Sequence, residues 1–446
     1  MAENILDLIH KATKKPYKRM YIKRRNSAGE YESTWQRIDS KDGIARVNSW
    51  GTIEYSIDAE KVIVNTWDIS QLKNSFSNYD GWFNSSLDDR SFWFGYLDHK
   101  DTKLKVDIGL YDRDDTVVGE ITIFEGLIVN AENTSDLISS ISTADYSKKL
   151  NEISFQDFGL EGQTLSASEI IDAIFTDSTV TMFFSSYVNS PKKDYDLLID
   201  SDVNDIFLES AWQVLQYLAK ISSSTISVVN DEFNFIGRDY IFSSSLAVDS
   251  NGALAVDSEG VLAYAETTQS NADVTIYGTG SNSPYGNLTL YGSAIYDKGG
   301  SDKLYTTIVE TSTGSKVQSL APSLLIEGRT KEIDLTDIVS DADKTEIITE
   351  YLSRFGVKRP TISLNCSNYM GLLYPFNKFS VDNTGRQKVA DDVLIWGVSY
   401  WEGSDVWGVR TGANKVYPSE VFNIEKVSYD LDVWATNVFG RSVSSL

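Results

Sequence analysis

Residues 341–360 read DADKTEIITEYLSRFGVKRP, and this stretch constrains the fold more than any other. Ile347, Ile348, Tyr351, Leu352 and Phe355 recur at helical spacing and form one apolar stripe. Ser340 supplies an N-cap, and Asp341 and Asp343 place acids at the positive end of the helix. Gly356 ends the helix and Pro360 lies beyond it. A β-patterned run, TISLNC, follows at once, and β-patterned sequence fills the remainder of the chain. A capped helix feeding a second β region divides the protein in two, as expected of a scaffold more than of a catalytic domain.

The 446 residues suffice for about three domains. The single cysteine, Cys366, permits no internal disulfide and fits assembly in a reducing cytoplasm. The net charge is −24, yet residues 11–25, KATKKPYKRMYIKRR, hold eight Lys/Arg and no acid, which leaves −32 on the rest. A body this acidic repels nucleic-acid phosphates. The basic stretch could meet nucleic acid, an anionic membrane or an acidic neighbour. Pro16 and the alternation around Met20 and Ile22 read as a strand, which favours the acidic neighbour; a solvated edge strand is the plainer alternative. Glu3 and Asp7 interrupt any leader-like apolar core, and no apolar run is long enough to span a bilayer, so no membrane anchor is expected.

Residues 4–12 have the pattern of a short amphipathic helix through Ile5, Leu8, Ile9 and Ala12. From 17 to 130 the sequence is strand-like: YKRMYIKRR and YESTWQRI flank a turn at Asn26–Gly29, followed by IARVNSW, TIEYSI and KVIVNTW. Leu104–Leu110 alternates strictly and pairs in expectation with ITIFEGLIVN. The polar run 131–148 suggests a boundary near 145. Beyond it, NEISFQDF reads as a strand. Ser166 and Glu169 form a capping box before Ile170, Ile171, Ile174 and Phe175, and a second helix over 206–220 places Trp212, Leu215 and Leu218 on one face. TISVV and FNFIG make a hairpin across Asn230-Asp231. An eight-residue repeat, LAVDSNGA at 246–253 and LAVDSEGV at 254–261, has the style of a β-hairpin extension, continued by IYGTG and LYGSA. Near the end, Phe422 and Ile424 share one parity, whereas Val427, Tyr429, Leu431 and Val433 share the other; such a phase change marks a β-bulge.

The fold class expected is therefore α+β, mostly β: two small antiparallel β-barrels joined by α+β domains with a few helices. The domains expected are 1–145, a first barrel; 146–240, α+β; 241–305, a hairpin insertion; 306–356, an α+β connection carrying helix 341–355; and 357–446, a second barrel.

Catalytic chemistry finds little support. His10 and His99 are the only histidines, and no nucleophile elbow accompanies them. Cys366 lies among strand-like residues as a core filler. GTGS at 278–281 lacks the third glycine and the helix of a phosphate loop. Asp200-x-Asp202-x-Asn204 begins like a calcium loop but fails at Asp205 and Ala211, and Asp112–Asp115 fits a hairpin turn. Trp35, Trp50, Trp67, Trp82 and Trp93 sit among strand residues, where core packing outweighs sugar stacking. No catalytic, cofactor-binding or metal residue is assigned, and no cofactor is expected.

In their order the segments resemble the baseplate hub family of phage tails, related to type VI secretion spikes. Three stretches carry the likeness: DIGLYDRDDTVVGEITIFEGLIVNAE with Phe124, Gly126 and Ile128; SAWQVLQYLAKISSSTISVVNDEFNFIG; and helix 341–355 with TISL and VFNIEKVSYDLDVWATNV. The turn at 228–233 lacks the glycine often found there, 240–300 has no counterpart, and the loops in DDVLIWGVSYWEGSDVWGVRTGANK are unusual. The resemblance implies a homotrimeric structural hub at the virion tail tip. It implies contact with a tail tube or distal tail protein, with a tip, spike or fibre protein, and with a tape-measure protein. DNA would pass through its acidic channel without specific binding. Rival readings are a receptor- or carbohydrate-binding tail component, a sixfold distal tail adaptor, and a carboxylate-based glycan hydrolase.

Overall fold

The computed structural model describes residues 15–56, 69–111 without 98 and 100, 117–200 without 136, 209–237 without 223, 274–277, 290–297, 305–318, 329–355 without 337, 361–367, 378–382, 398–401 and 421–442. The protein is α+β and mostly β, with a curled half-barrel sheet and few helices among the described residues. Several expectations lie outside those residues: helix 4–12 with His10, Trp67, Asp112–Asp115, Asp202–Asp205, the eight-residue repeat, GTGS, Gly356, Pro360 and most of 391–415.

The first large sheet is built from β1 (Lys15–Lys23), β2 (Gln36–Arg37), β3 (Val47–Ser49), β5 (Gln71–Ser77), β6 (Lys103–Tyr111), β7 (Val117–Ser135) and β8 (Ile138–Ala144); β4 (Thr52–Ser56) lies between β3 and β5 in sequence. The order is β2-β1-β6-β7-β8-β5-β3, antiparallel throughout. Alternation in β6 buries Leu104, Val106, Ile108 and Leu110, as its pattern predicts. Phe124 and Ile128 are buried on β7. Between them, Gly126 runs so close to β8 that a Cβ there would collide with the Ala144 carbonyl; the register shifts next to this crossing, between Ser142 and Thr143. The polar run 131–148 is largely strand among the described residues. It completes β7 and forms β8, an interior strand that buries Ser139, Ser140 and Thr143. Backbone pairing on both sides holds this strand, so apolar side chains are not required of it.

β1, within the basic stretch, is paired along its whole length on one side and at Tyr21 and Ile22 on the other. β1 lies between β2 and β6. Three arginines of the basic stretch are met within the chain: Arg19 by Glu120, Arg24 by Glu32 at 2.6 Å, Arg25 by Asp101 at 3.7 Å. Lys23 rides over Trp35, 5.2 Å from its centroid, and Arg24 over Phe92 and Tyr96 at 4.0 and 3.7 Å. The acidic neighbour expected from sequence thus lies, for these groups, in the same molecule.

After β8 the chain turns into an α+β region. Residues 151–158, expected as a strand, instead make turns and a 3₁₀ helix, Phe155–Phe158. Phe155 is buried there, and Gly159, at φ +65°, closes the turn, an ending a continuing strand would not permit. Helix α1 (Ala167–Thr176) has both hydrogen bonds of the Ser166/Glu169 box. Helix α2 (Ala211–Ile221) starts five residues later than expected and carries a second box, Ser210/Gln213. It buries Trp212, Leu215 and Leu218. Strand β9 (Ser186–Ser190) lies parallel to β11 (Glu232–Gly237), which forms the expected hairpin with β10 (Ser224–Val229). Asn230, at φ +56°, takes the left-handed turn position that glycine often fills.

Strands β12 (Val274–Tyr277) and β13 (Leu290–Asp297) come next, then a small sheet of β14 (Thr307–Glu310), β15 (Lys316–Gln318) and β16 (Thr330–Ile333). Helix α3 (Asp341–Phe355) packs on that small sheet. Ser340 Oγ accepts from Asp343 N at 3.4 Å, and Ile347, Ile348, Tyr351 and Leu352 are buried, as the stripe predicts. The second large sheet adds β17 (Thr361–Ser367), β18 (Lys378–Asp382), β19 (Val398–Trp401), β20 (Val421–Asp430) and β21 (Ala435–Ser442) in the order β12-β18-β20-β21-β17-β13-β19. The two described strands from the 241–305 region both belong to this sheet. β12 pairs with β18, and β13 pairs with β17 and β19.

Candidate functional site at the seam of the two large sheets

β4 leaves the first sheet and pairs antiparallel with β20 of the second, from Thr52↔Asp430 to Ser56↔Lys426. β20 thus has two partners on one edge: β18 along Val421–Asn423 and β4 along Lys426–Asp430. On its other edge, the register with β21 shifts between Ile424 and Lys426, where the sequence changes phase. The bulge turns both apolar sets inward: Phe422, Ile424, Val427, Tyr429 and Leu431 are all buried. Val433, expected in the same series, is exposed because the strand has ended at Asp430 and a turn has begun.

Tyr55 ties the seam from the β4 side. Its ring meets that of Tyr429 edge-on at 6.3 Å, and its hydroxyl donates to the Ile123 carbonyl on β7 at 2.7 Å. Both tyrosines are buried, so one β4 residue is anchored in both sheets.

A polar lock closes the end of the seam. The Asp432 carboxylate accepts from Ser49 Oγ and Trp50 N at 2.8 Å each and from Gly51 N at 3.3 Å. Leu431 N donates back to the Gly51 carbonyl at 3.0 Å. Gly51 has φ +74°, and a Cβ there would strike the Lys73 carbonyl, so this crossing requires glycine. Lys18, from β1, donates to the Leu431 carbonyl and lies 5.1 and 4.7 Å from the ring centroids of Trp50 and Trp434. Burial pushes the Lys18 ammonium down, and Asp432 and Asp430 partly restore it. Desolvation works against the Asp432 carboxylate. The N–H of Trp50, the Ser49 hydroxyl, the N–H of Gly51 and Lys18 outweigh it and hold the group below the usual carboxylate range. Such a set can hold two sheets at a fixed angle.

Of the residues considered from sequence, Trp50 lies at the seam and the other described ones lie elsewhere. Trp93 is in the core, and Trp50 and Trp82 pack against it. Trp35 is half-buried beneath Lys23 and Lys105. His99 lies in the turn before β6, where its carbonyl accepts from Thr102 N. Cys366 lies on β17, opposite Leu290 and Thr436. Among the described residues, no group of three or more His, Cys, Asp or Glu side chains could hold a metal ion. Sequence reasoning missed Lys18, Asp432 and Trp434. The available signal was the spacing Asp430-x-Asp432-x-Trp434 between two strand patterns, a turn with a carboxylate facing outward.

No family model and no curated protein matches this sequence. Solved structures that overlap it along most of its length include three tail proteins. A tail protein from Neisseria meningitidis MC58 is 11% identical, covering 95% of this chain and 96% of its own, with TM-score 0.47. The 43 kDa tail protein of prophage MuSo2 from Shewanella oneidensis is 10% identical, covering 95% and 97%, with TM-score 0.46. Prophage tail protein gp18 from Listeria monocytogenes EGD-e is 9% identical, covering 95% and 94%, with TM-score 0.46.

Proposed function

We propose that this chain is a non-enzymatic structural hub of a phage tail, placed at the distal tip as a homotrimer. The observation that carries this reading is the seam: a strand from the first region completes the second sheet, so two sequence-distant sheets stand side by side as one body. A rigid pair of this kind can present two related surfaces per copy. Three copies would then offer six positions to a sixfold tail tube or distal ring, and three to a tip, spike or fibre protein. A tape-measure protein would contact the inner face. The charge of −24 supports a channel through which DNA slides without being held. The basic stretch agrees with this, because Arg19, Arg24 and Arg25 are already matched by acids of the same chain.

Copy number in the assembled particle tests the proposal. Cryo-electron microscopy of the tail tip, with quantitative mass spectrometry of the same particles, is expected to give three copies per tail. Six copies would replace the hub with a distal adaptor. A location out on a fibre, with glycan binding by the isolated chain, would replace it with a receptor-binding component.

A further inference from the structure

A second joint, away from the seam, connects the first large sheet to the α+β region, and its charges are poorly matched. Tyr146 is fully buried where the chain leaves β8, and its hydroxyl donates to Glu125 Oε1 on β7 at 2.7 Å. Its ring meets Phe184 at 5.9 Å; Phe184 meets Phe233 on β11, which stacks on Phe175 of α1 at 4.1 Å. This aromatic series leads from the sheet into the α+β region. Lys103, on β6, is held between the rings of Tyr31 and Tyr146, 5.1 and 5.2 Å from their centroids. Asp231, in the β10–β11 turn, has its carbonyl held by Ser185 N at 2.9 Å, and its charge acts on the same lysine.

The groups facing Glu125 are Tyr146, Asp231, Lys103 and Lys105. Lys105 is already paired with Asp107 at 2.6 Å. Lys103 is faced by Glu125, Asp231 and, unfavourably, Lys23. One half-buried ammonium is therefore drawn by two carboxylates from two elements, in ion-pair contact with neither. Burial pushes the Glu125 carboxyl up, Asp231 adds to this, and the Tyr146 bond and the lysines only partly oppose it.

We propose that this cluster is a proton-operated latch, which draws the Asn230–Asp231 turn onto the first sheet when Glu125 takes up a proton. With Glu125 ionised, its charge and that of Asp231 repel across the joint. With Glu125 neutral, its hydrogen bond to Tyr146 remains available and Lys103 is left to Asp231 alone. The latch does not depend on the hub assignment, because it concerns one chain.

Hydrogen exchange of the intact protein between about pH 5 and about pH 8 tests it, with rates corrected for intrinsic exchange and strand Ala435–Ser442 as internal reference. Protection of residues 224–237 is expected to rise as pH falls, by up to about tenfold per pH unit where Glu125 titrates. Glu125→Gln should abolish that rise, and Asp231→Asn should displace it to lower pH. A rise that survives in Glu125→Gln overturns the proposal. Should Glu125→Gln not fold, Asp231→Asn decides: displacement supports the latch, and an unmoved profile overturns it.

Discussion

The seam and the latch join the same first sheet to different parts of the chain in opposite ways. At the seam, β4 and β20 pair in register, and Asp432 accepts three hydrogen bonds that favour its charge. At the latch, no strand among the described residues crosses between β6–β7 and the β10–β11 hairpin, and the Glu125 carboxylate is disfavoured by burial and by Asp231. The signs of their pH responses must therefore differ. A carboxyl lowered in the folded state stabilises above its unfolded pKa, and that contribution is lost as pH falls. A raised one contributes below its unfolded pKa, and the contribution is lost as pH rises. Backbone pairing suits a permanent connection; an unbalanced charge cluster suits an adjustable one.

The largest expected effect tests the permanence of the seam. Tyr429→Ala removes a fully buried ring packed against Tyr55 and should cost about 3–5 kcal/mol in chemical denaturation. If the seam fuses the sheets, the loss should appear in a single transition reported from both. Separate transitions for the two sheets would break the comparison. Next is Gly51→Val. It combines a β-branched residue at positive φ with a collision against the Lys73 carbonyl, so it should cost at least about 1–3 kcal/mol. The same substitution at Gly29, also at positive φ but with open space around it, should cost less. Equal thermal shifts at the two glycines would show that the seam crossing is not specially constrained.

Ser210→Ala is smaller and acts on the latch side of the molecule. Loss of the cap of α2 should cost about 1 kcal/mol by thermal unfolding. Because α2 packs on β10, amide protection across 224–229 should fall while the strands at the seam keep theirs. A uniform fall would mean that the two regions do not behave separately.

Much of the fold was legible locally. The stripe of α3, the Ser166/Glu169 box, the Asn230-Asp231 hairpin and the parity change after Ile424 each correspond to an observed element, because each is governed by neighbours in sequence. The 3₁₀ helix at Phe155 shares its apolar alternation with a strand, and only Gly159 distinguishes them. The partners of β4, β12 and β13 could not be read, since a five-residue strand states its pleat but not the strand beside it. The sites were less legible still. Lys18 and Asp432 are separated by 414 residues, and Glu125 looks like any polar position on a strand until Tyr146 and Asp231 are brought to it.

The smallest effect sharpens the contrast in sign. Asp432 lies at the solvent edge of the seam, so screening limits what its bonds contribute, and Asp432→Asn should cost less than about 1 kcal/mol at neutral pH. Its carboxyl is lowered in the folded state, so that contribution is present near neutrality and declines below about pH 4. The wild-type and Asp432→Asn unfolding curves should therefore converge on the acid side. For Glu125→Gln the difference between curves should change on the opposite side, growing as pH rises and Glu125 in the wild type gives up its proton at the joint. Thermal unfolding midpoints of the two variants, each subtracted from wild type across the same pH series, place the two trends side by side. Parallel trends would mean that the two carboxylates share one environment, contrary to the three donors around Asp432 and the opposing acid beside Glu125.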